Sequence, residues 1–276
     1  MQPLWWAKTV VGGQPGISVR DHCLNVGSVA EALLAALPKR VRVLLPAGSG
    51  MLAALHDVGK ITVGFQAKCP QWLHRDGLPN FPRGEVELSV TDHALVTQVF
   101  LQKLLSSTQL RLWAVAVGAH HGRPKGRNAR LNRPEALAEW AEENRLQVLE
   151  QLWTVFGPLP ITPPAPHHSD LWLLAGLISV ADWIGSNEAW FSPEHGLPPD
   201  EARQQARGAL RQIGWPGGKL RQTGFSAAFA SDPNIAFEPN ALQRAVAAAS
   251  HAPGVVVVEG PMGCNSRESI SRCPPR

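Results

Sequence analysis

Five histidines and two aspartates in this chain could do chemistry because of where they fall. His22, His56, His93, His120 and His121 sit at expected helix ends or on apolar helix faces, and Asp57 and Asp182 accompany them. One such histidine is more often a satisfied core or surface residue than a ligand. Seven such groups are harder to bury, because each unpaired or ionised polar group loses several kcal/mol on leaving water unless it is paired or binds metal. Imidazole and carboxylate together, without thiolate, suit iron, manganese, cobalt, nickel or zinc better than magnesium alone. The four cysteines, Cys23, Cys69, Cys264 and Cys273, form no C-x-x-C pair and no disulfide framework, which fits a reducing cytoplasm.

The elements that must position these groups are helices. Ser18 is expected to cap a helix running to Leu37, stopped by Pro38, with His22 on its apolar face. Ser49 is expected to cap a short helix, Met51 to Asp57, that delivers His56 and Asp57 at its C-terminal end. Between Thr62 and Glu87 the pattern dissolves into a long loop. Thr91 then caps a helix to Leu105 with His93 in its first turn, and a helix from Leu110 ends at His120, His121 and Gly122. Arg123, Lys125, Arg127, Arg130 and Arg133 follow without an acidic residue between them. Pro134 suits a first helical position, so Glu135 to Trp153 reads as an amphipathic, largely exposed helix.

Past the Pro-rich stretch Pro158 to Pro166, Leu171 to Ser186 is the most apolar helix, and Leu171, Ala175, Ile178 and Asp182 share one of its faces. Weaker helices are expected at Asp200 to Ile213 and Asn240 to Ser250, and a strand at Val255 to Glu259. The fold class is therefore all-α with a short C-terminal β-strand stub. Of ten tryptophans, Trp113, Trp172 and Trp183 lie within apolar helices and read as core, whereas Trp5, Trp6, Trp72, Trp190 and Trp215 suit either core or surface.

The chain has 276 residues, 44% of them hydrophobic and 17% charged, which excludes disordered and collagen-like classes. The net charge of +4 and a pI near 9.1 permit a nucleic-acid partner without requiring one. Leu171 to Ala181, the longest apolar run, falls short of the roughly 18 residues that span a bilayer, so no membrane association is expected.

The order His22, then His56-Asp57 with Gly59-Lys60, then His93, then His120-His121-Gly122, then Ala181-Asp182-Trp183, resembles the HD superfamily of metal-dependent phosphohydrolases. Trp6-Ala7-Lys8, Phe65-Gln66, Asp92-His93-Ala94 and Asp182-Trp183-Ile184-Gly185-Ser186 narrow the resemblance to the HD nuclease domain of the CRISPR-associated helicase-nuclease of type I systems, from Trp6 to about Met262. The resemblance implies a helical bundle with a dinuclear metal site. His22, His56, Asp57 and Asp182 would hold one divalent ion, and Asp57, His93, His120 and His121 a second, with Asp57 bridging. Two ions roughly 3.5 to 4 Å apart can activate a water and stabilise both oxygens of an in-line phosphodiester displacement. Asp57 and Lys60 carry catalysis in this reading, and Lys60, Arg123, Lys125, Arg127 and Ser186 meet substrate. Lys60 also fits an exposed lysine favoured by a helix C-terminus.

The implied activity is metal-dependent cleavage of single-stranded DNA in CRISPR interference, with an RNA-guided type I surveillance complex as partner. The alternatives are a nucleotide or cyclic-nucleotide phosphohydrolase and a non-catalytic docking remnant. Residues 1–250 read as the nuclease domain and 251–276 as the start of a helicase. A phosphate loop after Gly260 would need Gly, Lys and Ser or Thr at 265, 266 and 267, where Asn265, Ser266 and Arg267 stand. ATP binding, ATPase and helicase activity are therefore not expected, and a separate helicase chain becomes a candidate partner. A truncated chain, an interrupted gene and a natural stand-alone nuclease each fit that ending.

Overall fold

The computed structural model describes residues 5–74, 78–79, 83–105, 107–165, 169–215 and 238–249. Its helices are α1 (Val19–Ala36), α2 (Lys39–Arg42), α3 (Ser49–Ala54), α4 (Val63–Gln66), α5 (Arg83–Leu88), α6 (His93–Leu104), α7 (Arg111–Gly118), α8 (Ala138–Phe156), α9 (Ser169–Gly185), α10 (Pro199–Ile213) and α11 (Ala241–Ala249). Short 3-10 turns cover Val11–Gly13, Val58–Lys60 and Pro70–His74. Extended pairing among the described residues is confined to the isolated bridges Trp6 with Ser18 and Thr9 with Pro15. The fold is all-α, as the periodicity predicts. Val255 to Glu259 lies outside the described residues.

The chain divides into compact units at Met1–Gly217 and Gly218–Arg276. In the second, Asn240 and Gln243 cap α11 reciprocally, each side chain accepting the other's backbone N–H at 2.9 and 2.8 Å.

In the first unit α1 is the central helix, packed against α3, α8, α9 and α10. Ser18 accepts the Asp21 N–H at 3.0 Å, a cap worth about 1 kcal/mol. Val19, Val26, Val29, Ala30 and Leu33 are buried with His22. Full burial of side chains such as Leu24 and Leu52 contributes roughly 1.5–3 kcal/mol each.

Several local expectations are corrected. Gly48, at φ 91°, takes the cap position of α3, and Ser49 instead donates to the Pro46 carbonyl. That helix stops at Ala54, so His56 and Asp57 stand in the turn after it. Asp92, not Thr91, caps α6 by accepting the Leu95 N–H, a carboxylate one residue along having won the position. The expected loop from Thr62 to Glu87 is broken into short helices, and Trp72 within it is fully buried against Trp5. Buried aromatic rings, Trp72 and Phe65, anchor that stretch without any periodicity to announce it. The α8 helix starts at Ala138, after Leu137 turns left-handed at φ 52°. Trp172 and Trp183 are 61% and 71% exposed, because the apolar composition of α9 extends round the helix beyond its buried face.

Candidate metal centre

Asp57 occupies the turn between α3 and the Val58–Lys60 3-10 turn, with two oxygens facing different ways. Its Oδ2 lies 3.0 Å from His22 Nε2 and 3.3 Å from His56 Nε2. Its Oδ1 lies 3.2 Å from His93 Nε2 and 3.6 Å from His120 Nε2. Asp182, delivered by α9, closes the first side with Oδ1 at 3.4 Å from His56 and 3.7 Å from His22. His121 closes the second, its Nε2 3.0 Å from that of His93. Within each of the two groups, His22, His56, Asp57, Asp182 and Asp57, His93, His120, His121, the potential ligand atoms lie within 4.8 Å of one another. All seven residues named from the sequence are brought together.

The local structure presents nitrogen lone pairs inward. His56 Nδ1 is 3.0 Å from the Ala53 carbonyl and His120 Nδ1 is 2.7 Å from the Val117 carbonyl. A carbonyl only accepts, so each Nδ1 carries a hydrogen and each Nε2 faces the centre, where the neutral ring would offer its lone pair to a metal. Both Nε2 atoms and Asp57 Oδ1 are buried and lack a hydrogen-bond partner. A buried polar atom left so costs roughly 1–3 kcal/mol. One of them, His56 Nε2, lies on the Asp182 side of Asp57 and two, Asp57 Oδ1 and His120 Nε2, on the other, so each side holds a polar atom that a cation would satisfy.

The electrostatics agree. Although burial opposes ionisation, His56, Lys60 and His93 hold the Asp57 carboxyl well below its usual range, and His56 does the same for Asp182. Burial lowers His22 to about 4, and burial with the His120 and His93 rings lowers His121 to about 4, so both are neutral at physiological pH. Burial alone would depress His56 too, but the Asp57 and Asp182 carboxylates override it and lift the ring to about 10. The carboxylates thus form a well for positive charge at this position, the property that draws in a metal ion.

A second layer fixes the ligands. The Thr97 hydroxyl donates to the His56 carbonyl at 2.9 Å and accepts the Gly59 N–H at 2.9 Å. Ser179 donates to the His120 carbonyl at 2.6 Å, and Ser186 donates to Asp182 Oδ1 at 2.8 Å. Lys8 Nζ holds the Ser186 carbonyl at 2.6 Å. Gln66 binds the Trp6 and Lys60 carbonyls through Nε2 and the Trp6 N–H through Oε1. Nothing in the local sequence around Thr97 and Ser179 marks them as partners of the centre. Only Lys8 and Gln66 carried a signal, as parts of the motifs Trp6-Ala7-Lys8 and Phe65-Gln66.

Lys60 is not the exposed lysine of the simpler reading. It is 9% exposed, with Nζ 2.6 Å from Asp57 Oδ2 and 3.1 Å from the Ala7 carbonyl, because the chain turns inward there rather than leaving the end of a helix. Of the basic segment, Lys125 is tied to Asp92 at 2.6 Å, a spatial partner invisible in the local sequence. Arg123, Arg127, Arg130 and Arg133 are exposed. The Gly126 and Arg127 carbonyls accept from Gln98 and Gln102 of α6, which seats the segment beside His121.

A helical domain with a His-Asp pair in a turn, ringed by histidines and a second aspartate from four other elements, defines the HD class. The family model described as Cas3, HD domain matches residues 6–191, and the chain belongs to that family. The CRISPR-associated endonuclease/helicase Cas3 of Thermus thermophilus is 33% identical over 96% of this chain, and that of Escherichia coli is 28% identical over 78%. The chain spans 31% and 28% of the lengths of those two relatives. Among solved structures, the Thermus thermophilus cas3 HD domain in the presence of Ni2+ aligns with a TM-score of 0.52 at 27% identity, covering 77% of this chain and 90% of that one. T. fusca Cas3-AMPPNP shares the fold at 21% identity with a TM-score of 0.55, covering 91% of this chain and 31% of that one.

Proposed function

We propose that this chain is a metal-dependent nuclease that hydrolyses phosphodiester bonds of single-stranded DNA in CRISPR interference, with two divalent transition-metal ions. The observation that carries the reading is Asp57, whose two oxygens face two separate groups of nitrogen ligands. His22, His56, Asp57 and Asp182 would hold one ion and Asp57, His93, His120 and His121 the other. When bound, the ions supply Lewis acidity that acidifies a water and offsets charge on the scissile phosphate.

The protein's own groups do the rest. His56 and His120 are fixed by their Nδ1 hydrogen bonds, so little reorganisation is needed to present their Nε2 atoms. In this reading Lys60, paired with Asp57, also meets an oxygen of the bound phosphate, and Ser186, which donates to Asp182, orients that carboxylate. Arg123, Lys125 and Arg127 guide the strand past His121, where backbone phosphates and not base edges would be read.

Family membership supports delivery of that strand by an RNA-guided type I surveillance complex. The buried free thiols Cys23 and Cys69 suit a reducing cytoplasm. We assign residues 1–250 to the nuclease domain, and 251–276, whose Asn265, Ser266 and Arg267 lack the groups that cradle a phosphate, to a helicase-like segment.

The purified protein should degrade circular single-stranded DNA with manganese, cobalt or nickel, and Asp57→Ala should abolish this while leaving the thermal unfolding cooperative. Undiminished cleavage by that variant would refute the assignment. Turnover of mononucleotides in preference to DNA would move the protein to the nucleotide phosphohydrolases.

A further inference from the structure

A second site lies on the side of α1 away from the histidines, and its arginines and tryptophan fall beyond the end of the family match at residue 191. It is a cavity of about 360 Å³ between α1 and α10, with small α1 side chains as its floor. Arg203, Arg207 and Arg211 of α10 line it at i, i+4 and i+8, a spacing that sets them on one face over about 12 Å. Arg203 is already committed, to Glu31 at 2.9 Å and to the Val155 carbonyl at 2.7 Å. Arg207 and Arg211 are exposed, and neither forms an ion pair among the described residues.

Two further features point to a ligand. Gly214, at φ 80°, turns the chain so that the Trp215 N–H binds the Leu210 carbonyl, and the 40% exposed Trp215 indole becomes part of the cavity wall. Ser28, 1% exposed, lines the cavity from α1 and its hydroxyl has no hydrogen-bond partner. Two guanidiniums without an ion pair among the described residues, an aromatic face and a hydroxyl are complementary to phosphate, base and polar edge in turn.

We propose that this cavity binds a short run of unpaired DNA, with Arg207 and Arg211 on consecutive phosphates and one base stacked on Trp215. The site is a hold on the strand separate from the metal centre. His22 and Glu31 lie about 14 Å apart along α1, so the two can be engaged at once. The identity of the strand as DNA rests on the proposed nuclease function; the phosphate and base chemistry does not.

The test is binding of a labelled oligothymidylate of about 12 nucleotides to the full chain in chelator, where nothing is cut. Arg207→Gln with Arg211→Gln should weaken binding roughly tenfold and reduce the salt slope by about 1.4, the share of two single-strand phosphate contacts. Trp215→Ala should weaken it by a similar factor with the salt slope unchanged. Arg207→Lys with Arg211→Lys should restore most of the affinity, and all variants should hydrolyse bis(p-nitrophenyl) phosphate like the parent. Wild-type affinity and salt slope in the double glutamine variant would overturn the proposal, as would polyglutamate displacing the oligonucleotide equally from parent and Trp215→Ala. If no phosphodiester is cleaved by any form while the arginine dependence of binding persists, the nuclease reading fails and this site stands.

Discussion

The two ligand groups that share Asp57 differ in enclosure. His22 and His56 are 1% and 0% exposed and look onto an Asp182 braced by Ser186, whereas His121 is exposed and His93 partly so. The closed group lies between α1, α3 and α9, the main packing contacts of the domain. The open group lies at the α6 and α7 ends, beside the arginine-rich segment. One side is closed and the other, apart from the buried His120, is open to solvent, a division also seen between closed and open coordination in zinc proteins.

Removing the shared residue should do most. Asp57→Ala takes an oxygen from both groups, and activity should fall by well over ~100-fold, with bound metal lost from both groups by elemental analysis. Retention of one equivalent of metal would show that the two groups do not depend on a common carboxylate. Next in size is the contrast between His56→Ala and His121→Ala. The closed-side change should lower both activity and melting temperature, because a fully buried ring is lost, at about 2–5 kcal/mol by analogy with other large core truncations. The open-side change should lower activity with little change in melting temperature. Equal thermal effects would erase the distinction drawn here.

Thr97→Val keeps the shape of the side chain but removes the hydroxyl that joins the His56 carbonyl to the Gly59 N–H. A loss of about 10- to 100-fold in metal affinity or rate is expected, as for other residues that orient ligands. Divalent metal at a hundred times its dissociation constant should stabilise the parent by about 2.7 kcal/mol for each ion bound, read as a rise in melting temperature. The same metal should give Asp57→Ala no such rise. Smallest should be Arg123→Gln with Arg127→Gln, which should reduce the salt slope of strand binding by about 1.4 and leave the melting temperature unchanged.

The seven residues that gather at the centre were legible as a set in the sequence, since histidines and aspartates at helix ends and on apolar faces are costly unless paired, and the resemblance to the HD family divided them into two groups. Helix existence was legible for the same reason of periodicity: α1, α9 and α10 fall within a residue or two of their expected bounds. What failed was local choice and long-range contact. Two capping residues in a row, Thr91 and Asp92, offer the same chemistry, and only the backbone geometry selects between them. Thr97 and Ser179 look like ordinary helix residues until the carbonyls of His56 and His120 arrive from elsewhere in the chain. Lys60 and Trp72 are buried by partners at a distance, Ala7 and Trp5, which no window around them contains.

Gly59 has a further consequence. A Cβ there would run into the His93 carbonyl and lie 2.5 Å from the Thr97 nitrogen. The turn bearing His56 and Asp57 therefore rests on the backbone of the helix bearing His93, pinned there also by the Thr97 hydroxyl. The spacing of the two ligand groups is thus set by main chain against main chain as well as by the Thr97 rotamer. Even the smallest enlargement at residue 59 would act as a wedge, altering the gauge of the centre while leaving every ligand in the sequence intact.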